Sequence, residues 1–246
     1  GLYTEWNKNS NKIKEGSYVN DLMEGEWYFS WVDNITKKRE SMTGSFKFGD
    51  GGNLNKNSGV PMNGRHGLFT SFLENGQKEF EGTYKDGKED GLWTEWYENG
   101  QKKEEGTYKD GKGNGLATSW HENGQKEFER TFKDGKPDGL VTAWYENGQK
   151  KRERTFKDGK LDGLKTYWNE YGQVVEETVF DLGNLMNKKE YDYYPTGEVY
   201  TIETNEGIIT YYSIKGEIEK ETKNGKIWNG KLIEWWNDDN KKKEIS

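Results

Sequence analysis

The stretch Gly91–Asn114, GLWTEWYENGQKKEEGTYKDGKGN, decides the fold because it is one copy of a unit that recurs every 24 residues. Successive copies begin with a Gly-Leu pair at Gly67, Gly91, Gly115, Gly139 and Gly163. Two turn motifs keep the same period: Glu-Asn-Gly-Gln begins at Glu74, Glu98, Glu122 and Glu146, and Lys-Asp-Gly-Lys begins at Lys85, Lys109, Lys133 and Lys157. Self-similarity at a fixed period of this length predicts a tandem-repeat architecture.

Each repeat is predicted to be a β-hairpin. Asn-Gly and Asp-Gly are the strongest short hairpin signals, because a type I′ turn needs a positive φ at both central residues. Within the quoted repeat we therefore predict positive φ at Asn99, Gly100, Asp110 and Gly111. The two turns delimit strands over about 88–98 and 101–109, and a glycine every dozen residues leaves no apolar period suited to a helix.

The predicted fold is all-β: an elongated single-layer antiparallel ribbon, or solenoid, of about ten tandem hairpins. Only 30% of the residues are apolar, although 15% are aromatic, whereas a globular domain usually carries about 45–50% apolar residues. One thick core is therefore not expected. We predict one continuous repeat domain over 1–246, with the best-formed repeats at 67–172, an insertion at about 33–59 that forms a long loop or an enlarged hairpin, and diverged repeats at 173–246.

The two faces of the ribbon differ in how much they vary. A two-residue turn would place Glu98 opposite Gln101, and alternation then puts Leu92, Thr94 and Trp96 on one face. Because these positions hardly vary between repeats, we predict that this face packs the hairpins together. The other face varies, apart from a column of rings at Tyr84, Tyr108, Phe132 and Phe156 that is predicted to lie across from the glycines that start the strands.

The variable face is predicted to carry the function. Its candidate binding residues are Phe69, Trp93, Tyr97, His121, Phe128, Arg130, Tyr145, Arg152 and Arg154. Aromatic and arginine side chains are the residues enriched at binding hot spots. We predict that a partner with an acidic, partly apolar surface binds across residues 115–162. The alternative is that these arginines pair with acids such as Glu129 and Glu153, although alternation points those glutamates to the opposite face.

Catalytic, cofactor and metal sites are not expected. The chain has no cysteine, and its two histidines, His66 and His121, lie 55 residues apart in different repeats. The Lys-Asp-Gly-Lys motif lacks the Asp-x-Asp-x-Asp-Gly spacing of a calcium loop, and no Gly-x-x-x-x-Gly-Lys-Ser/Thr phosphate loop occurs. We therefore predict that the protein is not an enzyme and holds no cofactor.

The repeats resemble the variant class of MORN repeats. The motif Trp-Tyr-Glu-Asn-Gly-Gln-Lys of residues 96–102, followed by Gly-x-Tyr-Lys from Gly106, carries the resemblance, which is specific over 67–172 and looser elsewhere. Arg130 and Arg154 depart from the pattern by replacing its strand glycine. The resemblance implies a non-catalytic binding scaffold, similar to bacterial repeat proteins labelled YwqK-like antitoxins. A phosphatidylinositol-phosphate kinase-like name could also follow from such repeats alone, without kinase activity.

A protein partner of unknown identity is the leading expectation for function. A cell-wall or carbohydrate-binding module is the first alternative, and membrane recognition is the second. A net charge of −7 with mixed signs disfavours an anionic membrane surface and argues against nucleic acid. Gly1 starts in phase with the repeat, so we expect that an upstream segment, with any signal peptide, precedes it or was removed. The resemblance suggests a bacterial protein, and the sequence leaves open a cytoplasmic, exported or cell-surface location as well as the oligomeric state.

Overall fold

The structure is a computed structural model that describes residues 1–32, 39–50, 52, 54–56, 58, 60–206, 208–213, 215–223, 226–227, 232–235 and 242–245. The chain divides into a first unit, Gly1–Lys136, and a second unit, Pro137–Ser246. Every regular element in the described residues is a β-strand, which confirms the all-β prediction. No helix in this described part is long and apolar enough to span a membrane.

The first unit is an open antiparallel sheet in which each strand pairs with the next one along the chain. Its strands are β1 (Leu2–Trp6), β2 (Lys12–Val19), β3 (Leu22–Val32), β4 (Arg39–Gly49), β5 (Arg65–Phe72), β6 (Lys78–Lys85), β7 (Lys88–Trp96), β8 (Lys102–Lys109), β9 (Lys112–Trp120) and β10 (Lys126–Lys133). This pairing of neighbours confirms the tandem-hairpin prediction.

The second unit repeats the same arrangement, with β11 to β19 paired in chain order and β20 paired with β21. Its strands are β11 (Lys136–Trp144), β12 (Lys150–Lys157), β13 (Lys160–Trp168), β14 (Val174–Asp181), β15 (Asn184–Tyr193), β16 (Val199–Thr204), β17 (Ile208–Tyr212), β18 (Ile218–Lys223), β19 (Lys226–Ile227), β20 (Leu232–Trp235) and β21 (Lys242–Ile245).

The Asp-Gly turns are type I′, as predicted. Asp110 has a φ of 51° and Gly111 a φ of 79°, and the strands close on a Lys109–Lys112 pair. The equivalent aspartates Asp86, Asp134 and Asp158 also have positive φ. An aspartate tolerates this left-handed region better than most residues because its short polar side chain can hydrogen-bond locally.

The Asn-Gly turns are not type I′, so the prediction for Asn99 is wrong. Gly100 alone has a positive φ, 82°. The N–H of Gly100 donates to the Tyr97 carbonyl at 2.9 Å, and the N–H of Tyr97 donates to the Gln101 carbonyl at 2.9 Å. This is the three-residue hairpin loop that ends in a left-handed glycine. The Asn99 Oδ1 accepts the Gln101 N–H at 2.9 Å, so asparagine here stabilises the turn by a side-chain bond.

The predicted register nevertheless holds along the body of the hairpin. Leu92 lies opposite Thr107 and Thr94 lies opposite Glu105, as predicted, whereas Trp96 lies opposite Lys102. The longer loop shifts the register by one residue, and a bulge at Lys103 shifts it back. The ring column is also confirmed, since Tyr84 lies opposite Gly67 and Tyr108 lies opposite Gly91.

The packed face is the one opposite to that predicted. The five leucines that begin the repeats are about half exposed, for example 53% for Leu92 and 50% for Leu164. The buried core lies on the variable face of the first unit and comprises Met23, Trp27, Phe29, Met42, Phe46, Val60, Phe69 and Tyr84. The prediction that the constant leucines pack the hairpins together is therefore wrong.

The constant face is held by polar contacts instead. Thr94 is buried and its hydroxyl donates to Glu105, and Glu105 pairs with Lys102 at 2.5 Å. The Lys102 ammonium also lies 5.8 Å from the ring centre of Trp120, on the next hairpin. Lys78 with Trp96 and Lys150 with Trp168 make the same contact between successive hairpins, a type of contact worth about 0.5–1 kcal/mol when exposed.

The insertion supplies part of the first unit's core. The segment predicted to be inserted, about 33–59, contains the whole of β4, whose Met42 and Phe46 belong to the core cluster. Residues 33–38, 51, 53, 57 and 59 of this segment lie outside the described part of the chain. Val60 is buried in the core cluster. Arg65, itself buried, donates from Nε to the Pro61 carbonyl at 2.9 Å and from its guanidinium to the Tyr84 hydroxyl at 3.1 Å. This arginine ties the end of the insertion to the sheet.

Candidate binding surface

Two arginines lie side by side on the variable face of the second unit. Arg152 and Arg154 alternate along β12, where Arg152 lies opposite Ala143 and Arg154 lies opposite Val141. Both of these small apolar residues are buried. The aliphatic part of an arginine side chain can cover apolar surface while its guanidinium stays in water. The two arginines therefore account for the burial of Val141 and Ala143.

Arg154 lies partly buried beside an aromatic ring. Its guanidinium lies 5.3 Å from the ring centre of Phe156, and its buried Nε has no hydrogen-bond partner. No carboxylate in the described residues pairs with it. Burial, reinforced by the charge of Arg152, lowers the pKa of Arg154. The side chain is a partly desolvated cation without an anion.

The neighbouring strand β13 places a lysine beside Arg154, and the carboxylate on β14 is already paired. Lys165 lies opposite Arg154 on β13 and pairs with Glu176 at 3.0 Å, and Lys188 approaches the same carboxylate at 3.5 Å. Burial opposes the ionisation of Glu176, but hydrogen bonds from Lys165 and Thr178 and the two lysine charges outweigh it and lower its pKa. The surface around Arg154 is therefore positive.

Arg130, the third predicted arginine, lies in the first unit and has an internal partner. Its guanidinium pairs with Glu104 at 3.0 Å and lies over the rings of Phe128 and Phe132, at 5.4 and 5.0 Å from their centres. The alternative that the arginines are paired applies to this residue, with Glu104 as the acid. Glu129 and Glu153 pair instead with Lys126 and Lys150.

Two predicted contact residues belong to the packing of the first unit. Phe69 is fully buried in the core, so its ring is not available to a partner. Trp93 is half-buried and stacks on Phe80 with ring centres 5.2 Å apart and an interplanar angle of 1°. Both lie on the face that was expected to be exposed and is instead the core of this unit.

The predicted tyrosines connect hairpins. The Tyr97 hydroxyl donates to the Trp120 carbonyl at 2.7 Å, and the Tyr145 hydroxyl donates to the Trp168 carbonyl at 2.9 Å. Each bond joins one turn to the hairpin that follows. His121 occupies the equivalent position in the intervening repeat, and its backbone N–H donates to the Gln125 carbonyl at 2.8 Å. These positions therefore have a structural use, whatever else they contact.

Sequence reasoning missed Ala117, which creates a notch on the variable face of the first unit. Its equivalents in the two preceding repeats are Phe69 and Trp93, so the loss of an aromatic side chain at this position was a readable signal.

In the described residues no three His, Asp or Glu side chains are placed to hold a metal ion.

Comparison with known proteins identifies the repeat type. The family model described as the MORN repeat variant matches at residues 65–86, 89–110, 114–134 and 137–158. The four matched ranges coincide with the hairpins from β5 to β12 and cover about a third of the 246 residues. No curated protein matches the chain.

Proposed function

We propose that this chain is a non-catalytic repeat scaffold that binds a protein partner through the surface around Arg152 and Arg154. Repeats of the MORN variant type are compatible with such a scaffold. The observation that carries the proposal is Arg154, whose buried Nε lacks an acceptor and whose charge lacks an anion in the described residues.

An anion supplied by a partner would satisfy this arginine. A cation that is partly removed from water gains more from an ion pair than an exposed one, because less of the attraction is lost to solvent. Arginine presents a planar fork of donors that matches a carboxylate. Phe156 adds aromatic surface beside it, so the expected partner has an acidic and partly apolar surface.

Charge also differs between repeats in a way that fits this partner. Residues 139–162 carry six Lys and Arg against four acids, a net charge of +2, within a chain of net charge −7. A local positive surface on an acidic protein speeds the encounter with an acidic partner more than it adds affinity.

The proposal is tested by panning a random peptide library against the intact chain. We expect enrichment of peptides that combine Asp or Glu with aromatic or aliphatic residues. The variant Arg152→Glu/Arg154→Glu should bind these peptides at least about tenfold more weakly, since removing one partner of a buried charge pair costs about 2–5 kcal/mol.

The matched control is Lys150→Glu/Lys157→Glu. It changes the net charge by the same amount on the same strand, but Lys150 pairs with Glu153 on the opposite face and Lys157 alternates to that face. The control should retain peptide binding. Failure to enrich peptides, together with binding of the chain to a glycan array or to vesicles, would contradict the proposal. Equal loss in both variants would remove this face from consideration.

A further inference from the structure

Rings cover the strand glycines of the first unit in a regular series. A side chain built at Gly16, Gly44 or Gly82 would meet a cross-strand ring at 2.0, 2.3 or 2.2 Å. The three rings are Trp27, Phe69 and Trp93. Each glycine therefore leaves a space that an aromatic side chain of the next strand fills.

The series breaks at Gly106. Its neighbour on β9 is Ala117, whose Cβ lies 3.2 Å from the place of a Gly106 side chain. The missing ring leaves a notch of about 150 Å³. The rings of Trp93, Tyr108 and Phe132 and the charged side chains of Glu95, Glu104 and Arg130 are among the residues that line it.

We propose that this notch receives an aromatic side chain of a partner protein, presented beside a positively charged residue of that partner. The inserted ring would cover Gly106 in the way that Phe69 covers Gly44 and Trp93 covers Gly82.

The size and shape of the notch suit one ring. A volume of about 150 Å³ is large enough to hold a benzene ring. The walls are already fixed, because Trp93 stacks on Phe80 and meets Tyr108 at 6.0 Å with an interplanar angle of 60°. A ring that enters beside them can form the edge-to-face and offset contacts that aromatic pairs prefer, at centroid distances of about 4.5–7 Å.

The charge around the notch favours a cationic neighbour for that ring. Glu95 and Glu104 line the notch. Glu95 pairs with Lys103 at 3.4 Å, and Glu104 pairs with Arg130 at 3.0 Å. Burial raises the pKa of Tyr108, and the carboxylates of Glu104, Glu89 and Glu95 raise it further against the opposing charge of Arg130. Three carboxylates, those of Glu89, Glu95 and Glu104, outnumber the two cations Lys103 and Arg130 near the notch, so the field at its surface is negative.

This inference rests on the proposed function only in that the ring belongs to a protein. The notch lies in the first unit and the arginine pair in the second, so free small molecules can test the notch without any partner. Loss of the Arg152–Arg154 surface and loss of the notch are therefore distinguishable.

The experiment titrates the intact chain with tryptamine, indole-3-propionate and tetramethylammonium, and follows the backbone amides of Gly106, Gly113 and Ala117 by NMR. We expect tryptamine to shift these amides with a dissociation constant on the order of millimolar. Indole-3-propionate, which carries the opposite charge, should bind at least about threefold more weakly. Tetramethylammonium, which has charge but no ring, should cause no saturable shift.

The deciding variant is Ala117→Phe, which restores the ring of the earlier repeats and should weaken tryptamine binding at least about tenfold. Leu116→Phe is its matched control, since Leu116 is 53% exposed on the opposite face, and it should bind like the parent. If Ala117→Phe does not fold, Ala117→Val introduces the residue found at the equivalent position 141 and should weaken binding at least about threefold. Absence of tryptamine shifts, equal binding of both indoles, saturable tetramethylammonium binding, or unchanged binding in the folded variant would each overturn the proposal.

Discussion

Two turn residues of similar propensity have different tasks in each repeat. Asp110 supplies a left-handed backbone to a two-residue turn, whereas Asn99 stays outside that region and uses its side chain. The Asn99 Nδ2 donates to the Glu122 carbonyl of the next hairpin at 3.1 Å, and Asn147 makes the same bond to Glu170 at 2.9 Å. Asparagine therefore stabilises the stacking of hairpins as well as its own turn.

Replacing Asp110 by valine should lower the free energy of unfolding by about 1–2 kcal/mol, the cost of a left-handed conformation for an ordinary residue. A β-branched side chain is among the least tolerant of this region. Asp110→Asn should change the free energy of unfolding by about 0.5 kcal/mol or less, because asparagine accepts the same backbone. Urea unfolding of the two variants and the parent provides the measurement. A valine variant as stable as the asparagine variant would show that the φ of 51° at this position carries no strain.

At the scale of the hairpin, the sequence predicted what depends on local periodicity. Turn spacing fixed the strands and the 24-residue period, and alternation fixed which residues share a face. Alternation does not show which of the two faces is buried. We inferred burial from the constancy of residues between repeats, and constant residues need not be buried. Leu92 is constant yet 53% exposed, while Thr94 beside it is buried to hold Glu105. The aromatic core also depends on Met42 and Phe46 from the insertion, and no repeat pattern describes that segment.

The candidate site was predictable to a similar extent. Arg154 was noticed because it replaces the strand glycine, and alternation placed Arg152 on the same face, where the two arginines do lie together. The ion-pair partner of Arg130 was not predicted, because Glu104 lies on β8 in the preceding hairpin and Arg130 lies on β10. Their side chains meet across the intervening strand β9. Ala117 was not singled out, since a small residue signals a site only when its ring-bearing neighbours are known to be packed.

The corrected assignment of faces leads to a prediction for two adjacent residues of β5. Phe69 is fully buried and Leu68 is 54% exposed. Phe69→Ala should destabilise the first unit by about 3–5 kcal/mol, as buried phenylalanines do. Leu68→Ala should cost about 0.5 kcal/mol or less, as exposed substitutions do. Thermal and urea unfolding of both variants decide between the faces, and the reverse order of stability would restore the original assignment.

At the scale of the whole chain, apolar burial is concentrated in one unit. The eight-residue core cluster lies entirely in the first unit, whereas the buried apolar side chains described in the second unit are Val141 and Ala143. The second unit depends more on ladder hydrogen bonds, ion pairs and rings that are only half covered. Repeat proteins gain stability from each repeat and its neighbours, so local stability should follow this distribution.

Hydrogen exchange measured by mass spectrometry at increasing urea should therefore show that the second unit opens first. Amides of β12 and β13 should exchange through openings of lower free energy than those of β3 to β5, because local opening follows how much apolar surface a segment buries. Each fully buried large side chain contributes about 1.5–3 kcal/mol, so the eight core residues should separate the two transitions clearly. Phe69→Ala supplies the internal control, since it should move the first unit's transition toward that of the second and leave the second unchanged. Coincident transitions in the parent chain would mean that the aromatic core does not set local stability, and that the ladder and the cation–π contacts of the constant face distribute it evenly along the repeats.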